Sequence, residues 1–364
     1  MIYLTHAKTI STQDTFLFQD VLYPQRAHWF PDTYAGVASG LVCPPHKLAD
    51  KVLDKAIIED IKNRPGKTAF ILAAGNSNFA AEGRTLSDKN SLSYQYKILP
   101  LSLTQIYAGR IASLFGEVEY IATDATACAS GLKVMMDVVT LIKHYNFDRV
   151  ITLAVEDQVN NLTLNFFGES GASLTEKMAK DIGVLPSAFD QSNFGFYIGQ
   201  GAAFAVFENE RLASNPIARL VSAYTTSESG VNAIGQREDG EGFKKSIGGC
   251  LSLANLQPKD IVLVKAHGTG TKSNNLAEKT ALLNTLPNFV ATSYKQKIGH
   301  TMGASGLLES ILLLQSDTVP EIENRTEVDD VFLSYPIPKP KGLMLSLAAG
   351  MGNVYSAAIF EPEN

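Results

Sequence analysis

The sequence predicts an α/β fold made of two similar βαβ-rich halves, and three observations carry that expectation. Arg149 to Val155 and Ile261 to Ala266 are nearly continuous apolar runs of the buried, parallel-strand type. Apolar residues at helical spacing lie beside them, as in Leu132, Met135, Met136, Val138, Val139 and Ile142. In both halves a strand-like run ends in polar or small residues, where open α/β sheets gather ligands: Asp124 to Gly131 in the first half, His267 to Thr271 in the second. The halves are expected to span 1–210, carrying Cys128, and 211–364, carrying His267 and His300.

In order, Ile2 to Leu4 reads as a short strand, and the chain to about residue 50 as irregular, aromatic and turn-rich, closed by Cys43-Pro44-Pro45. Leu48 to Ile61 reads as one helix, stopped by Pro65-Gly66 before the strand Thr68 to Ala73. Ser102 to Leu114 (helix), Val118 to Thr123 (strand), a helix from Ser130 and the strand from Arg149 complete the first half's βαβ unit. A turn-rich section leads to Phe189-Asp190 and the glycines Gly195, Gly199 and Gly201, then to the strand Ala203 to Glu208. The second half repeats the grammar. Leu220 to Tyr224 is a strand, Gly242 to Leu253 a helix with Cys250 on its apolar side, and Ile261 to Ala266 a strand. Asn275 to Leu286 (helix), Asn288 to Thr292 (strand) and Gly303 to Leu314 (helix) follow, and Leu343 to Ala348 with Tyr355 to Phe360 close the chain as an antiparallel pair.

With 364 residues the chain has room for two core-sized units, and 45% hydrophobic against 19% charged residues is the balance of a soluble globular protein. A net charge of -6 supplies no basic face for nucleic acid. No apolar run approaches the 18 or so residues of a membrane span and no leader-like N-terminus is evident, so a cytoplasmic protein is expected. Three widely spaced cysteines, Cys43, Cys128 and Cys250, make neither a disulfide framework nor a CxxC metal site.

Packing or reactivity remains for these thiols. Cys128 lies among small residues at a strand-to-helix turn. A thiol with pKa near 8.5 is about 3% ionised at pH 7, and a helix N-terminus, lowering the pKa by roughly one unit, raises that to about a quarter. His267 and His300 each lie in a glycine-rich loop and are expected to share a pocket with Cys128, whereas His6, His28, His46 and His144 have no such setting. No orienting acid is evident. The set suits a thiolate nucleophile with paired imidazoles donating to a developing enolate or oxyanion. Lys295 and Glu309 are placed to tune the imidazoles, with a solvated surface lysine as the other reading of Lys295.

At these residues the chain resembles the β-ketoacyl-acyl-carrier-protein synthases, the elongating condensing enzymes of the thiolase superfamily. Thr126-Ala127-Cys128-Ala129-Ser130-Gly131 is similar to the family's cysteine motif and His267-Gly268-Thr269-Gly270-Thr271 to its first histidine motif. Ser293-Tyr294-Lys295 through His300, with Gly303-Ala304-Ser305-Gly306 and Glu309, is similar to its lysine and second histidine motif. The resemblance implies a thiolase-like fold, a duplicated α-β-α-β-α arrangement, and a dimer, either homodimeric or paired with a ketosynthase paralogue. It implies acyl transfer from the phosphopantetheine of an acyl carrier protein to Cys128, then decarboxylative condensation with malonyl-carrier-protein. In that scheme His267 and His300 hold the enolate, Lys295 and Glu309 support them, and the loop at Ala349 and Gly350 helps form the oxyanion hole, with no metal or redox cofactor. Three departures stand out. Leu347-Ala348-Ala349-Gly350-Met351 lacks the family's aromatic gate, Gln191 to Asn193 lack its basic residue, and Asn275 replaces an acid. Lys62, Arg64 and Lys67 are the alternative basic docking patch, and a noncatalytic chain-length-factor-like subunit is the rival function.

Overall fold

A computed structural model describes residues 1–11, 28–29, 36–37, 45–75, 104–158, 161–175, 178, 183, 185–327 and 331–363. Cys43 and most of the aromatic N-terminal segment lie outside them. In chain order the elements begin β1 (Ile2–Ser11), β2 (His28–Trp29), β3 (Gly36–Val37), α1 (Pro45–Val52), α2 (Lys55–Asn63), β4 (Thr68–Ala73), α3 (Thr104–Ala112) and β5 (Tyr120–Asp124). Next come α4 (Ser130–His144), β6 (Arg149–Asp157), α5 (Asn161–Glu169), β7 (Gln200–Asn209), β8 (Ala218–Ser227) and α6 (Glu241–Ala254). The chain continues with β9 (Ile261–Lys265), α7 (Lys272–Thr285), β10 (Val290–Thr292), α8 (Lys295–Ile298) and α9 (Ser305–Gln315). It ends with β11 (Thr318–Val319), β12 (Ile337–Pro338), β13 (Leu343–Gly350) and β14 (Val354–Pro362).

Ten strands form one sheet in the order β10-β9-β13-β14-β8-β1-β7-β6-β4-β5. From the middle outward both sides read alike. β1 pairs antiparallel with β7, β7 with β6, and then β6, β4 and β5 run parallel. β8 pairs antiparallel with β14, β14 with β13, and then β13, β9 and β10 run parallel. Within the sheet, among the described residues, the two sides pair through Tyr3↔Arg219 and Leu4↔Ala218 between β1 and β8. This is the expected duplication, written in strand order.

Strand alternation sorts side chains to opposite faces and so builds the layers. Ala69, Ile71 and Ala73 of β4 and Leu263 and Met344 of the second side pack on α4 and α9, which lie in the middle. Phe70 and Leu72 turn outward to α1, α2 and α3, while Val264, Leu345 and Leu347 turn outward to α6 and α7. The result is helices, sheet half, helices, sheet half, helices. Each fully buried aliphatic or aromatic side chain contributes about 1.5–3 kcal/mol, which is why the layered patterning decides the fold.

Some elements differ from the sequence reading. The helix expected over Leu48 to Ile61 is two helices, because the Asp54 side chain accepts from Ala56 N and starts α2 afresh. Within the section read as turns, α5 forms. Thr271 caps Asn274 N, so α7 starts at Lys272, ahead of the expected Asn275. β1 extends to Ser11 because β7 pairs along it, with one irregularity between Leu4 and His6. Among the described residues no helix is long and apolar enough to cross a membrane.

Candidate active site

β5 ends at Asp124, whose Oδ1 accepts from Thr126 N at 3.2 Å and Thr126 Oγ1 at 2.6 Å, while Oδ2 pairs with Lys133 at 2.8 Å. These bonds fix a tight turn, Ala127–Ala129, ahead of α4, with Ser130 Oγ donating to Ala127 O at 2.7 Å. Ala127 is held at φ 49, a left-handed conformation costing a residue with a side chain about 1–3 kcal/mol. The same turn recurs in the other half as Met302–Ala304 ahead of α9, with Met302 at φ 44. Ala127-Cys128-Ala129-Ser130-Gly131-Leu132 and Met302-Gly303-Ala304-Ser305-Gly306-Leu307 are thus equivalent turns, one presenting a thiol and the other a glycine. Glu156 Oε2 ties the second of these turns to the chain just after β4, accepting from Gly75 N at 2.7 Å and Gly303 N at 3.1 Å.

Cys128 is buried among Phe167, Phe196, Ile198 and Met302, its Sγ 3.9 Å from Met302 Sδ. Burial pushes the thiol up to about 12, with the Lys295 ammonium pulling it down and Glu156 pushing it further up. The expectation that the helix end alone would supply thiolate is therefore corrected: desolvation outweighs it. Any attack by this sulfur must shed its proton as substrate binds.

His267 and His300 meet edge to face, ring centroids 5.8 Å apart. His300 lies edge-on to Phe196 at 5.0 Å, and its Nδ1 is 3.0 Å from Ser305 Oγ, which leaves Nε2 for the cavity. His267 is held through its backbone. Its N–H and that of Gly268 donate to Glu278 at 2.6 and 2.8 Å, and its carbonyl accepts from Lys295 Nζ at 2.5 Å. Glu278, not singled out in the sequence reading, thus fixes the His267 peptide without bonding its ring. It lies on α7 one turn after Asn275, which instead bonds Phe189 N and Asp190 O. Burial first, then the Lys295 ammonium, holds both imidazoles well below the ordinary 6.5, so they are neutral.

Lys295 is buried, not a surface lysine, and pairs with Glu309 at 2.9 Å. Lys265, unremarked within an apolar strand, reaches the same carboxylate at 3.3 Å and donates to Leu347 O at 2.8 Å. Ala349 and Gly350 end β13 beside the Cys128 turn, with Gly350 against Thr126 and Ala129. Where Ala349 lacks a gate side chain, Met351 lines the cavities on both sides of Cys128. One cavity, of about 340 Å³, is apolar and runs past Phe166 and Phe167. The other, of about 390 Å³, is more polar and holds His267, His300, Thr269, Thr271, Ala349 and Gly350. The sulfur lies where they meet.

The basic trio is engaged. Lys62 pairs with Glu59 and Arg64 with Asp60 and Glu208, while Lys67 donates to Tyr145 O and covers the Phe147 ring. Asp190 accepts from Ser192 N, Asn193 N and Thr326, so the Phe189-Asp190 motif fastens two loops.

The β-ketoacyl synthase N-terminal domain model matches residues 46–213 and its C-terminal domain model matches residues 217–325. With its fold and these two matches, the chain belongs to the β-ketoacyl synthase family of the thiolase superfamily. A 3-oxoacyl-[acyl-carrier-protein] synthase 2 of Mycobacterium leprae is 30% identical over 231 residues, 61% of this chain and 54% of that protein. The match therefore spans about half of that relative. A chain from the structure of a type II polyketide synthase acyl-carrier protein in complex with its ketosynthase bound to the hexaketide superposes with a TM-score of 0.81 at 17% identity, covering 100% of this chain and 99% of that one. A ketosynthase in complex with its chain length factor from Xenorhabdus doucetiae gives a TM-score of 0.80 at 19% identity, covering 100% and 98%. These two likenesses are of fold.

Proposed function

We propose that the protein is a β-ketoacyl-acyl-carrier-protein synthase. The observation that carries this reading is the meeting of an apolar and a polar cavity at the Cys128 sulfur, with two neutral imidazoles on the polar side. An acyl thioester on carrier-protein phosphopantetheine is attacked by Cys128; the acyl C–S bond breaks, and the thiol's proton ends on the departing sulfur. Malonyl-carrier-protein then binds from the polar side. Its carboxylate leaves as carbon dioxide, and the electron pair passes to an enolate whose oxygen takes hydrogen bonds from His267 and His300. Carbon attack on the Cys128 thioester forms the β-ketoacyl product, and the released thiolate regains a proton from solvent. The backbone N–H groups of Cys128 and Ala349 serve the oxyanion, and Lys295 with Glu309 braces the histidine loop. The chemistry asks for no metal or redox cofactor.

One observation favours a second reading, a noncatalytic chain-length-factor-like subunit: Met302 packs against a thiol whose proton burial holds tightly, its Sδ 3.9 Å from Sγ. Intact-protein mass spectrometry after incubation with acyl-carrier-protein separates the two. A one-acyl mass gain that Cys128→Ala abolishes, followed by product release on adding malonyl-carrier-protein, is expected. An unmodified wild type, with unchanged product formation by a Cys128→Ala complex, would overturn the catalytic reading.

A further inference from the structure

Among the described residues Arg149 and Lys265 are buried cations that the scheme above leaves without a task, and Lys265 is the one joined to the site through Glu309. It closes β9, paired in register with Ser346 of β13 and Thr292 of β10, and its side chain is 0% exposed. On that strand face it points, like Leu263, toward the middle helices, and its Nζ meets Glu309 of α9 at 3.3 Å and Leu347 O at 2.8 Å. Glu309 therefore serves two ammonium groups, Lys265 and Lys295, both within hydrogen-bond reach. Glu278, which accepts from the His267 and Gly268 N–H groups, is the second carboxylate of the cluster, so two ammonium groups face two carboxylates. The ammonium groups sit directly behind the histidine loop, because Lys295 also donates to the His267 carbonyl.

We propose that Lys265 is a positioning residue for the condensation: sharing Glu309 with Lys295 and holding the Leu347 carbonyl, it places a second ammonium behind His267 and His300, so that the enolate forms facing a cation. This rests on the condensing reading and adds to it a residue outside the cysteine, histidine and lysine motifs. The groups facing Lys265 are Glu309 on α9, Lys295 on α8 and Glu278 on α7, with the two histidines beyond. Burial, eased by Glu309 and reinforced by Lys295, lowers the ammonium to about 8. The Lys265 charge is therefore present at neutral pH and is lost as pH rises through that value.

A merely structural lysine predicts something different. Because Glu309 keeps Lys295 when Lys265 is removed, Lys265→Met leaves no stranded carboxylate, and replacing a buried charge by a well-packed apolar chain is often neutral or stabilising. The test is an NMR titration of histidine ring signals, assigned with His267→Gln and His300→Gln, in the wild-type protein and in Lys265→Met, alongside the rate of malonyl-carrier-protein decarboxylation. In wild type the His267 and His300 signals are expected to shift near pH 8 and decarboxylation to fall over the same interval. In Lys265→Met the shift near pH 8 disappears and the rate at pH 7 drops about tenfold or more, with no loss of melting temperature. Lys265→Arg, which keeps its charge, retains decarboxylation and moves the alkaline fall upward. His267 and His300 ring signals at pH 7 that are the same in wild type and Lys265→Met overturn the inference, as does a Lys265→Met rate equal to wild type. A wild type that decarboxylates nothing counts against the condensing reading, and the ring titration then still decides whether Lys265 acts on the histidines.

Discussion

His267 is steered by groups that never touch its ring: Glu278 takes the amide side of its peptide and Lys295 the carbonyl side. Glu278→Gln leaves one of the two N–H groups facing an amide donor inside the core. It is expected to cost about 1–3 kcal/mol, read as a lower urea midpoint at unchanged slope, and to slow decarboxylation more than Cys128 acylation. The imidazoles themselves give a pH signature. Their folded pKa values lie below the unfolded 6.5, so below pH 6.5 the unfolded chain binds protons that the fold refuses. Stability is accordingly expected to decline as pH falls from 6.5 toward the lowered folded values, a decline that His300→Gln reduces in urea titrations at pH 5 and 7.

At the scale of elements, α4 and α9 start side by side at a contact only glycines permit. A Cβ on Gly131 would lie 2.7 Å from Gly303 O, and one on Gly306 would lie 2.6 Å from Leu132 Cβ. Gly131→Ala is expected to lose about 1–3 kcal/mol by overpacking and to retard acylation by shifting the Cys128 turn, measured by thermal melting and mass gain. This contact also separates what the sequence discloses from what it conceals. Apolar runs and helical spacing marked β4, β6, β9, α4 and α9 because their burial is uniform along the chain. The break at Asp54 was invisible as periodicity, since α1 and α2 both carry apolar residues in phase across it. α5 was hidden by Asn161-Leu162-Thr163-Leu164-Asn165, which alternates like a strand. Cys128, His267 and His300 were conspicuous because small residues surround each. Glu278, Lys265 and Glu156 were not, because their partners are backbone amides or charges from other elements.

For the whole molecule, two five-strand halves of identical order meet at a two-pair seam, and the middle helices supply most of the contact between them. β5 ends the sheet with Tyr120 exposed and only β4 as partner among the described residues, an edge that soluble proteins usually cover. Native mass spectrometry is expected to find two chains, either two copies or one copy with a co-expressed ketosynthase paralogue; a persistent monomer in both preparations would contradict this. The clasp formed by Glu156, Gly75 and Gly303 has a consequence for how the protein is made. Cys128 leaves the ribosome well before Gly303 and Gly350, whose backbones complete its turn. Until they arrive the thiol is an ordinary solvated cysteine, a few per cent ionised and open to oxidation. Closure of the second half buries it, and burial pushes its pKa up, so Cys128 is expected to be oxidised by hydrogen peroxide more slowly in the folded protein than in urea.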